Sequence, residues 1–422
     1  MDEFTRPKRR SPLDADNLSS PAPIKTAPSL EAKEPKFRPP EEVADNEILE
    51  AVNADEPTGT VPGNKMQWWR FKLHMPHGKK QWIIAGTASF VLLGGSASGY
   101  WFFIRKSPQP APKVTKVVKK VIPPAPTTEA SKLSGLEVPI GTNLKPVTAV
   151  MIENSPDARP QSGLKDASVI FEAIAEGGIT RFNALFQDTS PDYVGPVRSL
   201  RPYYIDWFWP FDASIAHVGG APQALQDIKS LGLKDLDQFY NSGSYDRITS
   251  RYAPHNVYTS IARLNSLESG KGFNSANFTG FARKKEAKAT TPNAASIDLA
   301  ISSFYYNVHY AYDATSNAYL RSEGGEAHKD DKSGTQLAPK VVVAIVMPRG
   351  IAGDGEHTDY TTTGTGNIFV FQDGTVQEGT WGKTGRQAQW TFADAGGKAL
   401  AFNPGQTWIS MVDSTADVTY TP

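Results

Sequence analysis

EAIAEGGITRFNALFQDTSPDYVGPVRSLRP, residues 172–202, is the stretch from which the rest of the chain can be read. It divides into a strand, a Gly177-Gly178 break, a second strand, a loop, a short third strand, and a turn carrying Arg198 and Arg201 just before Pro202. Glu172 and Glu176 stand at its start, and Arg181 lies between them and the arginine pair. Fixed charges this dense beside short apolar strands point to convergence on a common target. Guanidinium forks suit bidentate contacts with phosphate or carboxylate. The stretch is therefore the candidate functional centre.

Working outward, residues 147–152 form an apolar run that reads as a buried strand, followed by the polar loop ENSPDARPQSG. Residues 168–174, 182–186 and 193–199 read as strands. Pro202 opens an aromatic helix, PYYIDWFWPF, that Pro210 ends. Residues 214–218 are strand-like, and Gly219-Gly220 leads into the amphipathic helix APQALQDIKSLG. Strands alternating with helices predict an α/β layer architecture over residues 143–285. A Gly-, Asn-, Lys- and Ala-rich connection follows at about 266–300. Beyond it, short alternating strands at 307–312, 318–322, 340–347, 367–371, 376–381 and 407–412, with Gly-rich turns, predict a mostly β domain over residues 300–420.

Composition limits the function classes. The 422 residues hold 44 Lys+Arg and 44 Asp+Glu, so no global field draws the chain to nucleic acid, and no nucleic-acid partner is expected. There is no cysteine, which excludes disulfides, thiol catalysis and Cys-zinc sites. Residues 1–81 are polar, charged and Pro-rich over most of their length and read as a disordered, cytoplasmic tail. Residues 82–104, WIIAGTASFVLLGGSASGYWFFI, carry no charge and are long enough to cross a bilayer as a helix. Trp82 at one end and Tyr100 and Trp101 at the other suit the two interfaces. Basic residues flank both ends, so charge bias does not orient the span. A tail, one span and a large C-terminal part predict a single-pass protein of the plasma membrane with its folded region outside. Residues 105–142 read as a Pro- and Lys-rich linker.

AVMIENSPDARPQSGL, FEAIAEGGITRF, GPVRSLRPYY, HVGGAPQALQDIKSLG and RYAPHNVYTS occur in this order, followed by YLRSEGGEAHKDDKSG, FQDGTVQEGTWGK and FNPGQTWISM. In these motifs the chain resembles the YerB-like family of bacterial envelope lipoproteins, whose two domains are of unknown function. The resemblance implies an extracytoplasmic, membrane-attached, two-domain protein and no established activity. Without a cysteine to carry lipid, the run at 82–104 would replace the lipid anchor. The order of parts also resembles, more distantly, the LytR-CpsA-Psr ligases of cell-wall glycopolymers. The shared parts are Asp157 and Arg159 after an apolar strand, Ser199 and Arg201 at a turn, and Gly219-Gly220 before a helix. The Ser-x-Pro-Arg-Asp run of that family is absent.

The candidate site residues each admit two readings. Arg198 and Arg201, with Arg159 and Arg181, form either an anion clamp or ion pairs with Glu172, Glu176 or Asp206. Glu176 and Glu172 serve either as general base or Mg²⁺ ligand, or as salt-bridge partners of Arg181. His217 and His255 either line the same mouth or are structural, and Gly219-Gly220 is either a close approach for phosphate or a tight turn. His328, Asp330 and Asp331, like Asp354, His357 and Asp359, read as solvated loops rather than a metal set. Trp381 and Trp408 read as core rather than a sugar platform. The leading expectation is an envelope protein that binds a phosphate- or carboxylate-bearing component. The alternatives are glycopolymer transfer from a lipid pyrophosphate, with Mg²⁺ and Glu176 as base, and a protein-binding scaffold.

Overall fold

The computed structural model describes residues 126–422. The tail, the run at 82–104 and the first part of the linker lie outside the described residues. The last part of the linker is folded: β1 (Thr128–Ala130) pairs with β2 (Glu137–Pro139). Leu133 in the hairpin loop is fully buried, and the Ser131 hydroxyl donates to the Asp188 carboxylate at 2.7 Å. One buried leucine in a polar, Pro-containing stretch leaves no periodicity to read.

The first region contributes β3 (Thr148–Glu153), β4 (Val169–Glu176), β5 (Ile179–Phe186) and β6 (Ser214–Ala216), with helices α1 (Pro202–Phe208) and α2 (Pro222–Ser230). β7 (Asp246–Arg247) and β8 (Val257–Tyr258) make a small ladder, and helix α3 (Ile261–Gly270) follows. The Ser260 hydroxyl caps α3 by accepting from the Arg263 N–H at 3.2 Å. Next come β9 (Ser296–Leu299), β10 (Val308–Asp313), β11 (Ala318–Glu323), β12 (Glu326–Ala327) and β13 (Val341–Val346). The last are β14 (Arg349–Ile351), β15 (Thr358–Tyr360), β16 (Gly364–Gln372), β17 (Thr375–Lys383), β18 (Thr391–Asp394), β19 (Thr407–Val412) and β20 (Val418–Thr421).

Strands greatly outnumber helices, and the C-terminal region is β-rich. The two regions set apart by sequence share one nine-stranded sheet, ordered β18-β17-β16-β13-β19-β4-β5-β3-β6. The junction is β19 beside β4, a parallel pair in the register Thr407↔Val169 to Ser410↔Glu172. β3, β13 and β19 are buried along almost their whole length because both faces of the sheet are covered. On one face Met151, Phe171 and Val343 pack with Tyr204, Trp207 and Ile228 of α1 and α2. On the other, Val150 and Ile152 pack with Leu264 of α3, while Val342 and Ala344 pack with Ile297 and Tyr310. Those last two belong to a second sheet, β12-β11-β10-β9-β20.

The pairing directions place the candidate site. β3 runs parallel to β6 and antiparallel to β5, and β5 runs antiparallel to β4. The carboxyl ends of β3, β4 and β6 therefore lie at one edge of the sheet, with the start of β5. Crevices outside the carboxyl ends of strands are where open α/β sheets hold ligands. Gly177 and Gly178 join β4 to β5 with φ of 57° and 78°. Two consecutive positive φ values make the primed turn that matches strand twist, and glycine adopts them without strain.

Candidate functional site

Three arginines and two glutamates meet at this edge, on the face of Met151 that α1 and α2 cover. Glu153 ends β3 and lies opposite Arg181 of β5 in the ladder. Glu176 ends β4 after a register shift. Residues 197–200 make isolated bridges rather than a strand. The Arg198 N–H donates to Met151 O at 2.9 Å, and Leu200 pairs with Gly220. This segment thus runs between the ends of β3 and β6 and brings Arg198 and Arg201 to the site. Arg201 precedes α1, whose first residue is Pro202.

The partners divide these charges into two groups. Arg201 grips Glu176 through two bonds, Nε to Oε2 at 2.9 Å and Nη2 to Oε1 at 2.6 Å. Arg181 Nη2 donates to the same Oε1 at 3.0 Å, and its Nη1 donates to Ser199 O at 2.9 Å. Burial alone would raise the Glu176 pKa, but Arg181 and Arg201 outweigh it and hold the carboxyl below its ordinary value. Glu153 accepts from the Ser155 hydroxyl at 2.9 Å and lies 3.0 Å from His255 Nδ1 and 3.2 Å from Arg198 Nε. The other Glu153 oxygen, Oε2, is buried without a hydrogen-bond partner.

Arg198 is the exception among the three arginines. Neither of its terminal nitrogens donates a hydrogen bond to the described residues, and its side chain is 24% exposed. Burial lowers its pKa, Glu153 pulls it back, and Arg181 adds to the depression. Arg201 is also depressed, first by burial and then by Arg181. Three guanidiniums facing two carboxylates leave an excess of positive charge at a partly water-excluded edge, which favours an incoming anion.

The remaining sequence candidates lie elsewhere or are already engaged. Arg159 reaches toward the opposite face, with Nε to Asn154 Oδ1 at 3.0 Å and an ion pair to Glu323 at 3.2 Å. Its guanidinium stacks over Tyr306. Glu172 does not pair with Arg181. Fully buried, it pairs with Arg321 at 2.7 Å and accepts from Trp408 Nε1 and Ser410 Oγ. His217 is fully buried with its ring nitrogens on Gly219 O at 2.7 Å and Asp235 Oδ1 at 3.1 Å. The Gly219 N–H is taken by Asp237 at 2.9 Å, so this amide does not face a ligand. Gly220 sits where an added Cβ would come within 3.0 Å of Leu200 O, a close packing of backbones. Asp206 pairs with Arg386 at 2.7 Å. Trp381 and Trp408 are buried in the core.

The buried array behind Glu172 has little local sequence signature. Arg321 Nη1 donates to His328 Nδ1 at 2.7 Å, and His328 Nε2 donates to Gln161 Oε1 at 2.8 Å. Burial, then Arg321 and Arg159, push the His328 pKa well below its ordinary value, in keeping with the neutral ring these bonds require. Asp330 accepts from the Gly163 N–H at 2.7 Å, and His357 pairs with Asp354 at 2.7 Å near the surface. Among the described residues no group of three or more His, Asp or Glu is arranged to hold a metal.

Comparison with known proteins gives the chain a family. Residues 133–274 match the "Protein of unknown function (DUF3048) N-terminal domain", and residues 297–409 match the corresponding C-terminal domain. The chain is 30% identical over 338 residues to the Bacillus subtilis (strain 168) protein named "Putative lipoprotein YerB", covering 79% of this chain and 96% of that protein. The crystal structure of YerB from Bacillus subtilis superposes with a TM-score of 0.63 at 29% identity, covering 70% of this chain and all of that one. The chain belongs to the YerB-like family.

Proposed function

We propose that this is a membrane-anchored, extracytoplasmic envelope protein whose α/β region binds a phosphate- or carboxylate-bearing ligand at Arg198. One observation carries the reading. Arg198 has both terminal nitrogens free of partners among the described residues, while Glu176 and Glu153 already serve the neighbouring cations. A planar fork with two open donors suits a bidentate oxyanion. Arg181 and Arg201 supply fixed positive potential behind it. The site's part is binding rather than transfer. Glu176 is held by two guanidiniums with a lowered pKa, so it is a poor proton acceptor. His255, on the Glu153 side, is a second contact within the same mouth.

The envelope location rests on the relative's name as a lipoprotein and on the uncharged run at 82–104. We assign that run as a single bilayer span, with residues 1–81 on the cytoplasmic side. No helix among the described residues is long and apolar enough to cross a membrane.

The test is calorimetric titration of the full-length chain with inorganic pyrophosphate. Arg198→Ala is expected to weaken binding by roughly 10- to 100-fold, the range of one lost charge-assisted contact. Arg159→Ala, on the other polar network, is expected to leave binding within about two-fold of the unsubstituted chain. Equal loss in both variants, or no pyrophosphate binding to the unsubstituted chain, would refute the assignment.

A further inference from the structure

His255 is tied to the segment that carries Arg198. β8 begins two residues after it, and Val257 O accepts from the Val197 N–H at 2.7 Å, one residue before Arg198. The loop leading into β8 is pinned. The His255 N–H donates to Tyr252 O at 2.9 Å, the Ile248 N–H donates to Asn256 O at 2.9 Å, and Arg251 donates to Pro160 O at 2.8 Å. The side chains converge as well. His255 Nδ1 lies 3.0 Å and Arg198 Nε 3.2 Å from one atom, Glu153 Oε1, so the two nitrogens are no farther apart than the sum of these contacts.

The same cluster fixes which imidazole nitrogen holds the proton. Ser155 has one hydroxyl hydrogen and gives it to Glu153 Oε1 at 2.9 Å. Its oxygen then turns a lone pair toward His255 Nδ1, 3.3 Å away. Glu153 Oε1 also faces Nδ1, and a carboxylate oxygen only accepts. With acceptors on both sides, Nδ1 carries the hydrogen, and in the neutral ring Nε2 is left as an acceptor. Nε2 has no partner among the described residues and is not one of their enclosed polar atoms, so it opens to water. The terminal nitrogens of Arg198 open to water in the same way. The mouth therefore offers the donors of a guanidinium and, beside them, one lone-pair acceptor. A bare anion satisfies the first and has no hydrogen for the second.

We propose that the ligand is an anion that also carries a hydroxyl group, with its charged end on Arg198 and its hydroxyl donating to His255 Nε2. This rests on the anion site at Arg198 and adds the chemical class of its ligand. His255 selects the hydroxylated anion over one without a hydroxyl, because the latter leaves Nε2 unpaired in the closed mouth.

The experiment titrates the full-length chain at pH 8 with glycerol 3-phosphate and with propyl phosphate, its analogue without hydroxyls. Glycerol 3-phosphate is expected to bind about five- to ten-fold more tightly, the range of one hydrogen bond that the analogue cannot make. In His255→Asn the amide nitrogen replaces Nδ1 and nothing replaces Nε2, so the ratio of the two affinities should fall to about one. In His255→Gln the amide oxygen reaches the Nε2 position, so most of the ratio should persist. Equal binding of the two phosphates to the unsubstituted chain, or an unchanged ratio in His255→Asn, would overturn the hydroxyl assignment and leave the anion site standing. Equal loss of the ratio in both variants would make His255 a structural support and overturn its contact with the hydroxyl. Failure of glycerol 3-phosphate, propyl phosphate and pyrophosphate all to bind would overturn the anion site with it.

Discussion

Glu176→Gln separates a structural carboxylate from a catalytic one. The substitution keeps the size of the side chain, removes its charge and turns an NH₂ group toward a guanidinium. In the native protein this carboxylate receives three N–H bonds of 2.6 to 3.0 Å from Arg181 and Arg201. Both arginines are nearly buried, with side-chain exposures of 3% and 6%. Breaking a buried pair costs about 3–5 kcal/mol. Water reaching the partly exposed Glu176 screens the pair, which lowers the expectation to about 2–3 kcal/mol. A folded part of roughly 300 residues unfolds with an entropy near 0.6 kcal/mol/K, so Tm should fall by about 3–5 °C. The folded pKa of Glu176 lies below its ordinary 4.5. Its contribution is therefore present above the unfolded pKa and is lost as pH falls through the folded one. The gap between the two proteins should be full at pH 7 and close in acid. Uncovering two cations should also tighten pyrophosphate binding by a few-fold. Thermal melts at several pH values and one titration read both effects. An unchanged Tm together with lost ligand binding would refute the structural role and place Glu176 against the ligand.

Other expectations follow from buried groups away from the site. Glu268 on α3 is fully buried, accepts from Thr148 Oγ1 at 2.9 Å and leaves Oε2 without a partner. Burial, opposed by the Thr148 and Ser214 hydroxyls, pushes its carboxyl from 4.5 up to about 7. A raised folded pKa gives stability that is full below the unfolded pKa and is lost as pH rises through the folded one, by about 3 kcal/mol in all. Glu268→Gln should abolish that decline between pH 4.5 and pH 7 and be the more stable protein at pH 8; parallel urea-midpoint curves would contradict this. Arg321→Met strands Glu172 and Glu323 in the interior and should cost about 3–5 kcal/mol in urea unfolding. Adding Glu172→Gln should restore part of that loss, and strictly additive losses would refute the pairing.

The elements around residues 172–202 were legible because their signals are local. The apolar runs gave β3, β4 and β5, and Pro202 and Pro222 start α1 and α2 as proline at a first turn does. Arg181, Arg198 and Arg201 were recognisable as a group because they flank strand ends that fold to one edge. Their division of labour was not legible, because it depends on which guanidinium Glu176 reaches. α3 was missed inside a polar stretch where only Ile261, Leu264 and Glu268 are buried. The shared sheet was missed because β19 meets β4 across more than two hundred residues, with no turn or crossover motif to announce it. Arg321 lies in an alternating strand, and only the tertiary fold sets it over Trp408, 4.4 Å from the ring centroid, and against Glu172.

The most direct measurement is a structure of the protein with bound pyrophosphate. Phosphate oxygens are expected about 2.7–2.9 Å from both terminal nitrogens of Arg198, with Glu176 still gripped by Arg181 and Arg201. A phosphate bound elsewhere, with Arg198 turned away from it, would contradict the central claim.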